Sequence, residues 1–201
     1  MINIIIIVMI ILLGFPKSGT TSFTFLLNKI GYKSYHWTFR NDTDYIGNWI
    51  KKCKSRNEKL LSFIPSDRKQ IAITQMDICI DDKNCYWPQL VDYKLLYEQY
   101  PEAIFILNVR EPKDILKSMK KWQYYDKRLL TYNPELFKNI EGNSDEKILK
   151  LINKHFNDVC TFFGQRKNSK FIKYDIIKDN VSKLNKYIDT KGIQFPQVNK
   201  N

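Results

Sequence analysis

Apolar residues crowd the start of the chain: Ile4 to Leu13 carry no charge, and the run stops at Gly14. Most of them are Ile, whose β-branch suits a strand buried on both faces. After a short polar loop, Phe23, Phe25, Leu26, Leu27 and Ile30 fall mostly on one helical side, and Gly31 supplies a stop. Tyr32 to Trp37 reads as a short extended piece leading into a polar loop. Between Asp42 and Ile64 the apolar positions recur at helical spacing with a break near Ser55-Arg56-Asn57, which predicts two helices ending before Pro65. Gln70 to Thr74 reads as a second core strand, and Met76 to Asp82 as the loop at its carboxyl end. Pro88 opens a helix over Gln89 to Tyr100 with Leu90, Tyr93, Leu96, Tyr97 and Tyr100 inward.

Ala103 to Val109 is a third apolar strand, followed by a helix from Pro112 to about Tyr125. Asp126 to Asn143 has weak periodicity and reads as a loop or lid. Asp145 to Phe163 places Ile148, Leu151, Ile152, His155, Phe156, Val159, Cys160 and Phe163 on one stripe. Lys170 to Tyr174 is a fourth strand, Ile177 to Thr190 a last helix, and Phe195-Pro196 leads into the tail. Strands alternating with helices predict an α/β fold: a parallel sheet of about four to five strands with helices on both faces. No repeat or linker interrupts residues 1–201, so the expectation is a single domain. Ligands of such sheets sit at the carboxyl ends of the strands.

A hydrophobic fraction of 43% and an aromatic fraction of 14% predict a packed globule. The net charge of +12 calls for an anionic partner. Its lysines and arginines are spread along the chain without a long run, which describes a solvated surface and makes nucleic acid an unlikely partner. The cysteines Cys53, Cys79, Cys85 and Cys160 form no C-x-x-C pair, and with His36 and His155 the only histidines no zinc spacing appears. A reducing, cytoplasmic setting fits, with a Cys79–Cys85 bridge left open. The amino-terminal run lacks a basic leader and a small-residue cleavage site, and it is shorter than the ~20 residues a bilayer span needs. It is expected to be a strand.

The loop after that strand brings in chemistry. Strand, tight glycine loop and helix together turn several N–H groups and a positive helix end toward one anion. Against the nucleotide-triphosphate pattern G-x-x-x-x-G-K-[ST], Gly14 and Gly19 have the right separation and Thr21 the right hydroxyl, but Thr20 stands where the lysine belongs. The loop's lysine, Lys17, lies inside it, beside the terminal group of a shorter, diphosphate-like ligand. An ATPase or kinase is disfavoured.

Pro16-Lys17-Ser18-Gly19-Thr20-Thr21-Ser22 resembles the 5'-phosphosulfate loop of sulfotransferases that use 3'-phosphoadenosine 5'-phosphosulfate (PAPS). Arg110, at the end of the third strand, and Ser118 in the next helix resemble the second signature of that family, which grips the 3'-phosphate. A guanidinium fork suits phosphate oxygens, and a hydroxyl a turn or two later can reach the same group. Tyr35-His36-Trp37, the block from Tyr97 to Ser118 and Phe195-Pro196-Gln197-Val198-Asn199 are similar to segments of the small P-loop branch of the family. The carboxyl-terminal Arg-Lys-Gly segment of many members is incomplete here, where Arg166-Lys167 lacks the glycine.

The resemblance implies a PAPS-dependent transfer of a sulfuryl group to a hydroxyl or amine, on an unknown small-molecule or glycan acceptor. It assigns Pro16 to Ser22, Arg110 and Ser118 to the adenine bisphosphate nucleotide. It sets Lys17, helped by loop N–H groups and the Thr20 and Thr21 hydroxyls, against the charge of the leaving oxygen. Ser118 would hold Lys17 back until an acceptor arrives. No metal is required. The base that takes the acceptor proton is His36, whose ring titrates near neutrality, or Asp77 just past the second strand, with Asp81 and Asp82 behind it. His155, on an apolar stripe, reads as core. Trp37, Trp87, Trp122 and Tyr124 are candidates to line the acceptor pocket. The alternatives are a P-loop nucleotide kinase or other NTPase and a nucleotide-binding relative without turnover.

Overall fold

The computed structural model describes residues 8–65 and 69–196. Ile4 to Ile7 and the tail residues Gln197 to Asn199 lie outside them. The aliphatic run forms strand β1 (Val8–Leu12), and the glycine loop leads into helix α1 (Thr20–Lys29). Then come β2 (Lys33–His36), α2 (Ile46–Ser55), β3 (Gln70–Gln75) and a small hairpin of β4 (Ile78–Cys79) and β5 (Cys85–Tyr86). The helices α3 (Pro88–Val91) and α4 (Tyr93–Gln99) precede β6 (Ile104–Val109). The rest is α5 (Pro112–Lys121), α6 (Tyr125–Tyr132), a long α7 (Ser144–Gly164) and β7 (Lys170–Asp175).

The five main strands are all parallel, in the order β2-β3-β1-β6-β7. Successive side chains of a strand point to opposite faces, and here both faces are covered. Ile11, Leu13, Ile71, Ile73, Phe105 and Leu107 pack on the side of α4, α5 and α7. Ile10, Leu12, Ala72, Ile104, Ile106 and Ile172 meet Phe23, Leu26, Leu27 and Ile30 of α1. That double burial explains the unbroken apolar run of β1. The chain leaves β1 for β2 and β3 on one side and reaches β6 on the other, so a crevice opens at the carboxyl ends of β1 and β6.

Several elements differ from the sequence expectation. The second helix expected before Pro65 is a set of turns, in which Gln99 Oε1 accepts from the N–H of Leu60 (2.8 Å) and Tyr100 Oη from that of Leu61 (3.0 Å). The helix over Gln89 to Tyr100 breaks at Asp92, whose carboxylate accepts from Lys54 and Tyr86. Asp126 to Asn143 is mainly helical: α6 is anchored by buried Tyr125 and Leu129, and a 3-10 turn, Pro134–Phe137, by Phe137. Anchors that sparse leave little periodicity to read. The expected last helix is a 3-10 turn over Val181–Lys186, opened by the Asn180 side chain accepting from the Ser182 N–H. The loop over Met76 to Asp82 contains β4, which a Cys79–Cys85 disulfide ties to β5.

Candidate active site

Beyond β1, Gly14 passes so close to β6 that a Cβ there would sit 2.2 Å from the Asn108 carbonyl oxygen. Glycine is required by that approach. The Asn108 side chain, fully buried at the end of β6, accepts from the Gly14 N–H (3.0 Å) and donates to Ser18 O (3.0 Å) and Ser18 Oγ (2.6 Å). A single buried amide thus pins both ends of the loop. Ser18 also donates to Phe15 O, so its side chain shapes the loop from inside and does not face the cavity. Pro16 is buried in the same way. Lys17 (φ 70°) and Gly19 (φ 87°) adopt left-handed conformations, which turn successive N–H groups to one side. No side chain caps α1, and no acidic residue stands in its first turn. Its first N–H groups are left for an anion.

A cavity of about 630 Å³ lies in front of this loop, lined by Lys17, Gly19, Thr20, Thr21 and Ser22. Arg110, Asp114, Lys117, Ser118 and Lys121 form a second wall along α5. Arg110 Nη1 donates to Lys17 O at 3.4 Å, and its buried Nε, 3.8 Å from Asp114 Oδ2, makes an ion pair but no hydrogen bond. An orphaned guanidinium N–H in a polar wall fits an incoming phosphate. The Lys17 ammonium lies 4.8 Å over the Trp122 ring and makes no hydrogen bond to Ser118. Burial, and then the nearby Arg110, lower its pKa. Lys117 and Lys121 were not foreseen; in the sequence they are two more lysines of a Lys-rich helix, and only the helical turn shows that they share the face of Ser118.

The third wall comes from β2 and β3. His36 lines the cavity together with Trp37 and Gln75. Its Nδ1 meets Thr24 Oγ1 at 3.2 Å and Thr74 Oγ1 at 3.1 Å. The two hydroxyls already have three contacts to serve: Thr24 with the Thr20 carbonyl (3.0 Å), Thr24 with Thr74 (2.7 Å) and Thr74 with the Tyr35 carbonyl (3.1 Å). Two protons cannot fill three contacts and also serve the ring. A proton on Nδ1 adds a third donor to this cluster, and in that tautomer Nε2 presents its lone pair. Burial, with Lys17 adding repulsion, lowers the His36 pKa to about 4, so the ring is neutral at pH 7.

Asp77 lies outside the cavity and is completely buried. Its carboxylate accepts from Tyr125 Oη (2.5 Å), Gln89 Nε2 (2.9 Å) and Gln75 Nε2 (3.3 Å). Burial raises its pKa, and these hydrogen bonds oppose the rise. The other end of Gln75, Oε1, accepts from Thr20 Oγ1 at 3.0 Å, so the Thr20 hydroxyl spends its proton there and not on a bound anion. Asp77 reaches the site only through Gln75. Asp81 bonds Asn84 in the hairpin, Asp82 accepts from the Lys83 N–H, and neither lines the cavity. His155 donates from Nε2 to Leu13 O at 2.7 Å and is a core residue. Of the aromatic candidates, Trp37 and Trp122 line the cavity, Trp87 is buried against Phe15 and Tyr125, and Tyr124 is exposed. Among the described residues no His/Cys/Asp/Glu cluster could hold a metal.

No curated protein matches the chain. A crystal structure of shikimate kinase from Bacteroides thetaiotaomicron is similar to it at 11% identity, covering 86% of this chain and 89% of that one with a TM-score of 0.44. The model of the sulfotransferase domain family matches residues 9–189, a span that holds the glycine loop, His36 and the Arg110–Ser118 wall. The chain belongs to that sulfotransferase family.

Proposed function

We propose that the protein is a PAPS-dependent sulfotransferase, built as one catalytic domain. The observation that carries this reading is the cavity itself: the uncapped α1 terminus with Lys17 at one side and Arg110 with Ser118 at the other face one space of about 630 Å³. A glycine-loop grip and an arginine–serine grip that line one cavity suit a ligand with phosphate at both the 5' and 3' positions. The apolar residues Ile176, Ile177, Phe195 and Pro196 line the same cavity and offer the base a wall. Ile177 is 70% exposed, a surface that an adenine ring would cover.

Bound there, PAPS supplies the activated sulfuryl group. The N–H groups at Gly19 to Thr21 and the Thr21 hydroxyl hold its 5' end, and Lys17 stands against the charge that grows on the leaving oxygen. Arg110, Ser118 and the α5 lysines hold the 3'-phosphate. His36 Nε2 takes the acceptor proton; the ring is neutral at pH 7, and its pKa of about 4 makes it a weaker base than the near-neutral imidazole expected from the sequence. Lys17 resting on Trp122, not on Ser118, leaves the indole as the group that parks the ammonium.

Titration calorimetry with adenosine 3',5'-bisphosphate tests the reading. Binding is expected with the wild type and strongly weakened binding with Lys17→Ala or Arg110→Ala; no binding, or undiminished binding by both variants, refutes it. Placement in the cytoplasm is the matching proposal for Cys53 and Cys160, which are free thiols. The Cys79–Cys85 disulfide weighs against it, because such bridges persist in oxidising compartments. No helix among the described residues is long and apolar enough to cross a membrane.

A further inference from the structure

We infer that Cys79 and Cys85 form a thiol–disulfide exchange site for a dithiol reductant, and that the state of this pair sets how firmly α6 and Trp122 wall the cavity. The hairpin they tie is small. β4 and β5 have two residues each, lie outside the five-strand sheet, and pair Ile78 with Tyr86 and Cys79 with Cys85. A two-stranded ladder that short is marginal in water. The disulfide closes it at the Cys79–Cys85 rung, and the tip beyond carries the exposed residues Ile80, Asp82 and Lys83. With a sequence separation of only 6, the bridge removes less freedom from the unfolded chain than one closing a long loop. Its main effect is local, on the hairpin and on what the hairpin holds.

What it holds is α6. Arg128 Nη1 donates to the Cys79 carbonyl (2.7 Å), and Asn133 Nδ2, just past the end of α6, donates to Cys85 Sγ (2.7 Å). Tyr125 Oη, at the other end, donates to Asp77 just ahead of β4 (2.5 Å). The turn that joins α5 to α6 places Gln123 (φ 51°) and Tyr124 (φ 52°) in the left-handed region, which consecutive non-glycine residues keep only when their surroundings hold them there. The Tyr124 side chain is exposed, so the hold falls to buried Tyr125 and Leu129 and to the bonds between α6 and the hairpin. Ring contacts carry the link onward. Trp122 packs 4.8 Å from Tyr125, the Arg128 guanidinium lies 5.9 Å from the Trp122 ring, and that ring receives the Lys17 ammonium at 4.8 Å. A packed chain of residues therefore joins the disulfide to the glycine loop.

Cys85 is 9% exposed and Cys79 1%, so Cys85 is the more accessible sulfur. A thiolate of the reductant forms an S–S bond to Cys85 Sγ, and the Cys79–Cys85 bond breaks with its electron pair on Cys79, which takes up a proton. The second thiol of the reductant, as a thiolate, then attacks its own partner sulfur and releases Cys85 as a thiolate, which is protonated in turn. The pair gains two electrons and two protons, and the dithiol loses them to become a disulfide. The Asn133 N–H on Cys85 Sγ stabilises the thiolate formed there. Cys53 is buried beside Ser62, and Cys160 lies on α7 with its pKa raised by burial, so neither competes. A pair that cycles also reconciles a bridge with free thiols in one chain.

The full chain is compared in native buffer in its oxidised form and after dithiothreitol. Reduction is expected to make Cys79 and Cys85 reactive to an alkylating probe, read by peptide mapping. Amides of residues 122–133 are then expected to exchange with deuterium about tenfold faster or more, while those of β1 and β6 stay unchanged. Adenosine 3',5'-bisphosphate is expected to bind the reduced chain about threefold or more weakly, because its wall is less preorganised. The double variant Cys79→Ser/Cys85→Ser should match the reduced protein and ignore dithiothreitol, and Cys160→Ser should respond as the wild type does. A bridge that dithiothreitol opens only after unfolding overturns the inference, as does unchanged exchange over 122–133 in the reduced chain. Equal bisphosphate affinity of the two forms overturns the link to the cavity. Should the double variant lose protection in β1, the reduced wild type still decides. The exchange readings use no nucleotide, so failure of the bisphosphate to bind either form counts against the sulfotransferase reading alone.

Discussion

Thr74 Oγ1 lies 3.1 Å from Nδ1 of His36, and the same hydroxyl reaches back 3.1 Å to the Tyr35 carbonyl of the neighbouring strand. The sheet itself therefore orients the ring that faces the cavity. Replacing Thr74 with Val keeps the shape and removes the nearer of the two hydroxyls beside Nδ1, leaving Thr24 alone to hold the ring. We expect kcat to fall about 10–100-fold while the dissociation constant of the bisphosphate stays put, with Thr74→Ser restoring most of the rate. Steady-state kinetics beside calorimetry separate this from a general loss of fold, which would lower kcat and weaken bisphosphate binding together.

Asn108 holds the glycine loop by three hydrogen bonds from one side chain. Asn108→Leu fills the volume but leaves the Gly14 N–H and the Ser18 carbonyl buried without partners. Each such orphan costs about 1–3 kcal/mol, so urea unfolding should show a loss of that order or larger, together with weakened bisphosphate binding. A variant of wild-type stability would show that the loop is held by something else.

Arg110 and a lysine are not equivalent where a phosphate must be gripped by a planar fork. Arg110→Lys keeps the charge, and it is expected to lose about tenfold or more in affinity for adenosine 3',5'-bisphosphate while leaving adenosine 5'-monophosphate nearly unaffected. The readout is the ratio of the two dissociation constants. An unchanged ratio would place the 3'-phosphate elsewhere.

Acid should destabilise the fold through its buried histidines. His155 is 4% exposed, donates to the Leu13 carbonyl, and burial lowers its pKa from 6.5 to about 4. Below pH 6.5 the unfolded chain takes up a proton that the folded one refuses, so stability is fully present above that pH and drains away as pH falls toward 4. The span corresponds to a loss on the order of 3 kcal/mol from this residue. His155→Phe should flatten the pH dependence of the urea midpoint between pH 6.5 and 4, and an unaltered slope would count against the assignment.

Much of the fold was legible because it depends on residues close in sequence. The apolar runs at β1, β3, β6 and β7 and the stripe of α7 are periodic patterns, and the structure follows them. The same holds for the glycine loop, since Gly14, Lys17 and Gly19 act through local backbone geometry. Elements whose boundaries are decided by distant partners were misread: Asp92 breaks a helix to receive Lys54 and Tyr86, and α6 forms because Tyr125 and Leu129 find a core to enter.

The chain's own order of residues determined the strand-loop-helix grip, the arginine at a neighbouring strand end and the family they belong to, because each is written within a few consecutive positions. Only the tertiary structure decided which candidates face the cavity. Folding buries Asp77 behind Gln75, spends the Thr20 proton, places His36 against threonines 12 and 38 residues away, and brings Trp122 under Lys17. Hydrogen-bond partners and burial are properties of packed neighbours, and packing joins residues that the sequence keeps far apart.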